Sequence, residues 1–221
     1  MVGKKKDTYG TIFLALGFAT KFYPIFFLIP VLMQRPLKDW FVQGSIFVGT
    51  FLLLNAYFII NSFDVWYYIF GFHSDRGPNI DSVWYLVRHI FPALSYGAIN
   101  VLTLILFVLL YFYIIVKYRK EEHALTWLLV LLAFLIANKV LSPQYVLWML
   151  PFIVLLGIDL RAYYALEVAN LAVLFATINP HPGSKYLSAF FVLMRHIFLI
   201  YIFVRYLKAP MRSAPALARQ G

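Results

Sequence analysis

The chain has 221 residues, of which 63% are hydrophobic and 13% are charged. Soluble domains have about 45–50% apolar and about 25% charged residues. The composition therefore excludes a soluble domain and indicates an integral membrane protein. The formal net charge of +10 does not indicate a nucleic-acid partner, because the basic residues form short clusters between apolar stretches, as membrane topology requires. The absence of cysteine excludes disulfides, thiolate catalysis and thiolate metal sites.

Several apolar stretches have the length that a helix needs to cross a hydrocarbon core of about 30 Å, so the sequence predicts an all-α fold. We predict a polytopic transmembrane helical bundle of about six full spans with a broken or re-entrant N-terminal helical segment. The predicted spans are residues 40–60, 97–116, 124–139, 144–158, 160–178 and 187–206. Residues 1–206 are expected to form a single transmembrane domain, and residues 207–221 a disordered cytoplasmic tail.

The N-terminal segment, residues 10–33, contains "TKFYP", where a proline follows a lysine by three positions. Proline removes a backbone donor and clashes with the preceding turn, so the helix is expected to break there. One straight span would place Lys4, Lys5 and Lys6 outside, against the preference of basic residues for the cytoplasm. Two helical arms that enter and leave on the cytoplasmic side agree with that preference, and we favour this re-entrant alternative.

Walking the chain back and forth across the membrane places most basic residues, and the C-terminus, on one side, which we expect to be the cytoplasm. Three polar connections then face the opposite, extracytoplasmic side: residues 61–96, "NKVLSPQY", and "NPHPGSKY" at residues 179–186. In the first of them, Asp81 or Ser82 is a suitable N-cap for a short helix that ends before Pro92. The hydrophobic face of that helix is expected to lie along the membrane and to border a site.

Two predicted membrane segments contain charged residues, which cost roughly 2.5–3.5 kcal/mol in a span and therefore need a partner or a water-filled cavity. Lys21 is expected either to reach the membrane interface or to lie near an anionic lipid phosphate. Arg195 is expected either to bind phosphate with its planar fork or to form an ion pair with Glu167. Since adjacent residues on a helix differ by about 100°, Arg195 and His196 are expected to face different surroundings.

The stretch "NKVLSPQYVLWMLP" places polar residues between two apolar runs. Ser142 is a suitable N-cap and Pro143 suits the first turn of a helix, so the local sequence predicts the start of a membrane helix. Tyr145 and Trp148 are of the types enriched at membrane interfaces.

"ATKFYPIFFLIPVL" and "NKVLSPQYVLWMLP", in this order around "FHSDRGPNIDSVWY", resemble the C-terminal half of GT-C-type membrane glycosyltransferases. The resemblance is to glycosyltransferase family 87 and its polyprenol-phosphate-mannose-dependent relatives, and more distantly to the catalytic subunit of GPI mannosyltransferase I. It implies transfer of a sugar, mannose in our interpretation, from a polyprenol-phosphate donor to an extracytoplasmic acceptor. The family's catalytic aspartate lies further upstream and has no counterpart here, so the chain is expected to be a truncated reading frame, a piece of a longer protein, or one half of a split enzyme in which a second chain supplies the N-terminal half.

For this reaction we predict that positive and polar side chains hold the donor, because charge develops on the leaving phosphate as the glycosyl bond breaks. The predicted donor-binding residues are Lys21, Arg76, Lys139, Gln144, Tyr145 and Arg195. His73 and Asp75 are candidates for proton handling or for hydrogen bonds to sugar hydroxyls. No metal and no cofactor is predicted; the partners are the lipid-linked sugar and membrane lipid.

Two alternatives remain open at this point. The chain could be a noncatalytic membrane subunit of a split glycosyltransferase. It could also be a multi-pass transporter or flippase, in which broken helices and charges at the membrane midplane form a substrate path. In each case we expect a multi-pass protein of the cell membrane.

Overall fold

The computed structural model describes residues 2–119, 121, 123–178 and 183–208, without the side chains of residues 2–6, 73 and 74. Every regular element in these residues is a helix, which confirms the predicted all-α fold. Residues 209–221 of the predicted disordered tail and residues 179–182 of the third polar connection lie outside the described residues. Leu207, the first residue of the predicted tail, is instead the last residue of a helix.

The chain divides into two compact units. The first contains Met1–Asp75 and Ile115–His123, and the second contains Arg76–Ile114 and Ala124–Gly221. The helices, in chain order, are α1 Val2–Thr20, a 3₁₀ segment Tyr23–Phe27, α2 Leu28–Met33, α3 Leu37–Asn61, α4 Phe63–Asp75, α5 Val83–Ile90, α6 Tyr96–Lys117, α7 His123–Ala137, a second 3₁₀ segment Pro143–Met149, α8 Leu150–Leu156, α9 Leu160–Ile178 and α10 Ser184–Leu207.

The predicted break at "TKFYP" is confirmed in the first unit. Helix α1 ends at Thr20, and the chain continues into the 3₁₀ segment that starts at Tyr23. Pro24 is buried and packs against Gly17, where an added Cβ would lie only 3.1 Å from the proline Cγ. The missing side chain at Gly17 therefore lets the returning chain pack closely against α1.

The two arms of this helical hairpin end at the same place. Arg35, after α2, donates to Asp7, near the start of α1, at 2.6 Å. From Asp7 to Thr20 the first arm rises about 20 Å at about 1.5 Å per residue, which is less than the hydrocarbon thickness of about 30 Å. A hairpin of this length with adjoining ends has the geometry that the re-entrant prediction requires.

Aromatic side chains fill the space between the hairpin and helices α3 and α4. The ring of Phe18 lies 4.9 Å from that of Phe51, and Phe22 lies 5.5 Å from Phe70. Trp66 contacts Phe70 and donates its indole N–H to Asn55 at 3.0 Å. The "TKFYP" break therefore rests on an aromatic cluster in which an asparagine satisfies the indole donor.

Three of the predicted spans are helices long and apolar enough to cross a membrane: Leu37–Asn61, Tyr96–Lys117 and Ser184–Leu207. The other predicted spans also fall on helices, but α7 has 15 residues and is therefore short for a bilayer. Helix α9 has 19 residues and includes Arg161, Glu167 and Asn170. The structure therefore supports three spans by length and composition, and the number six stays a prediction.

The helix predicted at residues 144–158 has a different local structure. Residues Pro143–Met149 form a 3₁₀ segment, and the α-helix begins only at Leu150. Pro151 explains the boundary, because proline fits the first turn of an α-helix but would clash with the carbonyl four residues earlier inside one. Ser142 does occupy the predicted N-cap position, with extended backbone angles, but its side chain makes no capping hydrogen bond.

Helix α8 ends at Gly157, which has a φ of 57°. The amide N–H of Ile158 donates to Ile153 at 3.2 Å, closing the last turn as glycine-terminated helices commonly do. In the same unit, α9 and α10 pack against each other, and α10 also contacts α5. This packing places the middle of α10 in the interior of the second unit.

Candidate functional site

Arg195 lies at the centre of the second unit and is 0% exposed. Its Nη1 donates to Oδ1 of Asn170 at 3.0 Å, and its Nη2 donates to the backbone carbonyl oxygens of Asp81 and Leu141, the latter at 3.3 Å. These acceptors belong to α9 and to two different connections between helices. The guanidinium therefore bonds three segments that are far apart in the sequence.

Asn170 extends this network along α9. Its Nδ2 donates to the carbonyl oxygen of Pro143 at 2.9 Å and to Glu167 at 3.1 Å, and the other oxygen of Glu167 accepts from Tyr163 at 2.6 Å. The sequence left open an ion pair between Arg195 and Glu167. The structure connects these two residues through the Asn170 amide, which accepts from the cation and donates to the carboxylate.

Asn79 holds the two polar connections together. Its backbone N–H donates to the carbonyl of Lys139 at 3.2 Å, and its side-chain Oδ1 accepts from the backbone N–H of Leu141 at 3.1 Å. Its own carbonyl accepts from the N–H of Ser82 at 2.9 Å. The connection before α5 and the one before the "SPQY" segment thus form a single hydrogen-bonded structure, which we call the loop junction (residues 76–82 and 138–145).

Ser82 and Trp84 fix helix α5 to this junction. Ser82 is buried, and its hydroxyl oxygen accepts from the N–H of Tyr85 at 3.3 Å, so the predicted N-cap is confirmed. The indole N–H of Trp84 donates to the carbonyl oxygen of Ala137, at the end of α7, at 2.9 Å. Trp84 therefore satisfies one of the backbone carbonyls that the end of α7 leaves without a partner in its own helix.

Asp81 is a half-buried carboxylate in the loop junction. Burial raises its pKa, and the positive charges of Arg195 and Arg76 oppose that rise. Its Oδ2 accepts from Asn79 at 3.4 Å, and its buried Oδ1 has no hydrogen-bond partner within the described part of the chain. The sequence identified Asp81 only as an alternative N-cap. In the structure, the negative charge of its carboxylate interacts with the positive charge of the buried Arg195.

The predicted donor-binding residues of the second unit have different surroundings. Arg76 and Gln144 are exposed. Tyr145 is half-buried and stacks on Trp148, with ring centroids 4.3 Å apart. Lys139 donates its ammonium group to Asn100 of α6. Unlike Arg76 and Gln144, Arg195 is enclosed by protein on all sides.

The remaining predicted residues belong to the first unit. Lys21 is exposed and follows directly after α1, at the break. Asp75 is exposed and is the last residue of α4. His73 lies on α4, but its side chain is outside the described residues.

Arg195 and His196 meet different partners, as expected for adjacent positions on a helix, although both side chains are buried in the unit. His196 is 5% exposed and its Nδ1 donates to the carbonyl of Val192 at 2.9 Å, on its own helix.

Among the residues that the structure describes, no three histidine or acidic side chains come together in a way that could hold a metal ion. The network residues that the sequence interpretation missed are Asn79, Asn100 and Asn170. Asn100 and Asn170 could have been identified from the sequence, because an amide side chain in an apolar helix needs a hydrogen-bond partner. Asn79 could not, since "GPNID" reads as an ordinary turn.

The fold and the network define an all-helical membrane protein whose polar site joins two connections between helices. The family model for glycosyltransferase family 87 matches residues 1–143, more than half of the chain. The chain therefore belongs to glycosyltransferase family 87, a family of membrane glycosyltransferases. The match includes "TKFYP" and ends at Pro143, within "SPQY". No curated protein and no solved structure matches the chain.

Proposed function

We propose that this chain takes part in the transfer of mannose from a polyprenol-phosphate donor to an acceptor on the extracytoplasmic side of the membrane. Membership of glycosyltransferase family 87 supports the class of reaction. The observation that carries the proposal further is the loop junction, in which Asn79 joins the connection carrying Arg76 to the one carrying Gln144. Four of the six predicted donor-binding residues, Arg76, Lys139, Gln144 and Tyr145, thus lie in one hydrogen-bonded structure.

In this proposal, the exposed guanidinium of Arg76 neutralises the phosphate that leaves when the glycosyl bond breaks. Arginine suits this role because its fork is permanently charged and can bond two phosphate oxygens. Gln144 would bond a sugar hydroxyl or a phosphate oxygen, and the stacked rings of Tyr145 and Trp148 would cover an apolar face of the sugar. Lys139 would add positive charge nearby through its position in the junction.

In the first unit, we propose that Lys21 binds an anionic lipid phosphate at the "TKFYP" break, where its exposed side chain follows α1. Asp75 and His73 stay candidates for hydrogen bonds to sugar hydroxyls or for proton handling, from the end of α4. The carboxylate of Asp75 is exposed, so it is available to an acceptor hydroxyl.

The proposal is tested by measuring sugar transfer in membranes that contain this chain, alone and together with the protein segment encoded directly upstream. The substrate is radiolabelled polyprenol-phosphate mannose, and labelled product is separated from the donor. We expect transfer at least in the combined preparation. Transfer in neither preparation would contradict the proposed function, whereas transfer only in the combined one would identify a two-chain enzyme.

The donor site is tested in the active preparation with Arg76→Ala and with Arg119→Ala as the matched control, since both arginines are exposed. Loss of a charged contact made in the transition state is expected to lower kcat/KM about 10²-fold. The Arg119 variant is expected to keep the wild-type value, because its predicted place is the cytoplasmic side. Equal values for the two variants would refute the assignment of Arg76.

A further inference from the structure

Arg195 is the most completely enclosed charge in the described chain, and its surroundings identify what it does. A guanidinium has five N–H donors and no acceptor. Four of them belong to Nη1 and Nη2, and these two nitrogens bond Asn170, Asp81 and Leu141. At 0% exposure, the side chain offers no surface to a ligand.

A role as phosphate ligand would disrupt this arrangement. A donor phosphate would have to reach a fully buried group and displace the carbonyls of Asp81 and Leu141. Each buried carbonyl left without a donor costs about 1–3 kcal/mol. The contacts therefore favour a role in which Arg195 acts on the donor site through the backbone that it holds.

The same two connections have a second attachment. Asn79 bonds Lys139 and Leu141, and the Arg195 side chain bonds Asp81 and Leu141. Leu141 is common to both, since its N–H donates to Asn79 and its carbonyl accepts from Arg195. Its peptide units thus form the centre of the loop junction.

We propose that Arg195, together with Asn79, is a positioning residue that sets the distance between the connection carrying Arg76 and the "SPQY" segment carrying Gln144. This inference rests on the proposed function, because the placement matters for donor binding at those two residues. Lysine is not expected to replace the arginine, since its one ammonium nitrogen cannot occupy the positions of both Nη1 and Nη2.

The experiment measures the distance directly and needs no activity. The natural chain has no cysteine, so Ile80→Cys and Leu147→Cys can carry a pair of spin labels without further changes. Both positions lie in the second unit, where Ile80 is 44% exposed and Leu147 is 49% exposed. Double electron–electron resonance on the full chain in lipid nanodiscs reports the distance distribution between them.

The labelled pair is measured in the otherwise natural chain and in chains that also carry Arg195→Lys, Asn79→Ala or the matched control Arg205→Lys. Arg205 is on the same helix, but it is partly exposed and pairs with Asp159 at the surface. We expect a narrow distribution in the wild-type background and in Arg205→Lys. In Arg195→Lys and Asn79→Ala we expect it to widen about twofold, because the freed connection samples more conformations.

An unchanged distribution in Arg195→Lys, or in Asn79→Ala, overturns the proposal. If Arg195→Lys does not fold, Asn79→Ala alone decides, since Asn79 is half-buried in a connection rather than in a helix. In an active preparation the positioning role also predicts that Asn79→Ala, which removes no charge, raises the donor KM as Arg195→Lys does. Absence of transfer in every preparation would refute the proposed function and leave the distance result intact.

Discussion

Replacing Asn170 with alanine tests the buried network at the residue where most of its bonds meet. The side chain is 2% exposed and makes hydrogen bonds to Arg195, Pro143 and Glu167. Alanine would leave a charged Nη1 donor without its acceptor, at about 1.5–3 kcal/mol, and a carbonyl without one of its donors, at about 1 kcal/mol. Glu167 adds less, because it is partly exposed and keeps its bond from Tyr163.

The sum is a loss of about 3–5 kcal/mol in the free energy of unfolding, within the range for breaking a buried polar network. For a chain of this size that corresponds to a fall of about 6–20 °C in Tm. The assay is thermal unfolding of the purified chain in detergent, followed by circular dichroism.

The control is Asn61→Ala, because Asn61 is exposed and its side chain bonds Tyr57 of its own helix. We expect the control to change the free energy of unfolding by no more than about 0.5 kcal/mol. If Asn170→Ala and Asn61→Ala lowered Tm equally, the network would not contribute to stability as the buried contacts require.

Two further predictions concern packing and a surface ion pair. Gly17→Leu should lower the free energy of unfolding by about 1–3 kcal/mol, because the new side chain meets Pro24. The control Gly10→Leu should not lower it, because no atom lies within 4 Å of the added Cβ. Equal melting temperatures for the two variants would contradict the close packing of the hairpin. The hydrogen bond from Arg205 lowers the pKa of Asp159, so the pair should stabilise the fold above the unfolded pKa of about 3.9 and lose this effect as the pH falls through the lower folded value. With both side chains partly exposed, the effect is about 0.2–1 kcal/mol, and Asp159→Asn should remove this part of the pH dependence of Tm.

The helices themselves were largely predictable because their signals are local. Residues 160–178 were predicted as a helix and are helical, and the Ser82 cap was expected from the polar residue before an apolar run. The 3₁₀ start after Ser142 was not predicted, although Pro151, which shortens the α-helix, is visible in the sequence. Pro143 suits the first turn of a helix, but Pro151 delays the start of the α-helix to Leu150.

The candidate site was predictable in its residue types and less so in their surroundings. Polar and charged residues in apolar segments identified Arg195 as a residue that needs partners. The partners themselves are backbone carbonyls of Asp81 and Leu141, distant in the sequence. A carbonyl has no residue-specific signal, so no pattern in one sequence could identify these bonds.

The sequence by itself determined that this is an all-helical membrane protein, where most of its helices lie, and that the chain breaks at "TKFYP", because hydropathy, capping and proline geometry act over a few residues. It did not predict α4, Phe63–Asp75, which lies inside the expected polar connection 61–96. Only the tertiary structure decided that Asp7 meets Arg35 and that Asn79 joins two connections. It also decided that Arg195 is fully enclosed by protein. These contacts depend on how helices pack, which is a sum of many weak interactions between residues far apart in the chain.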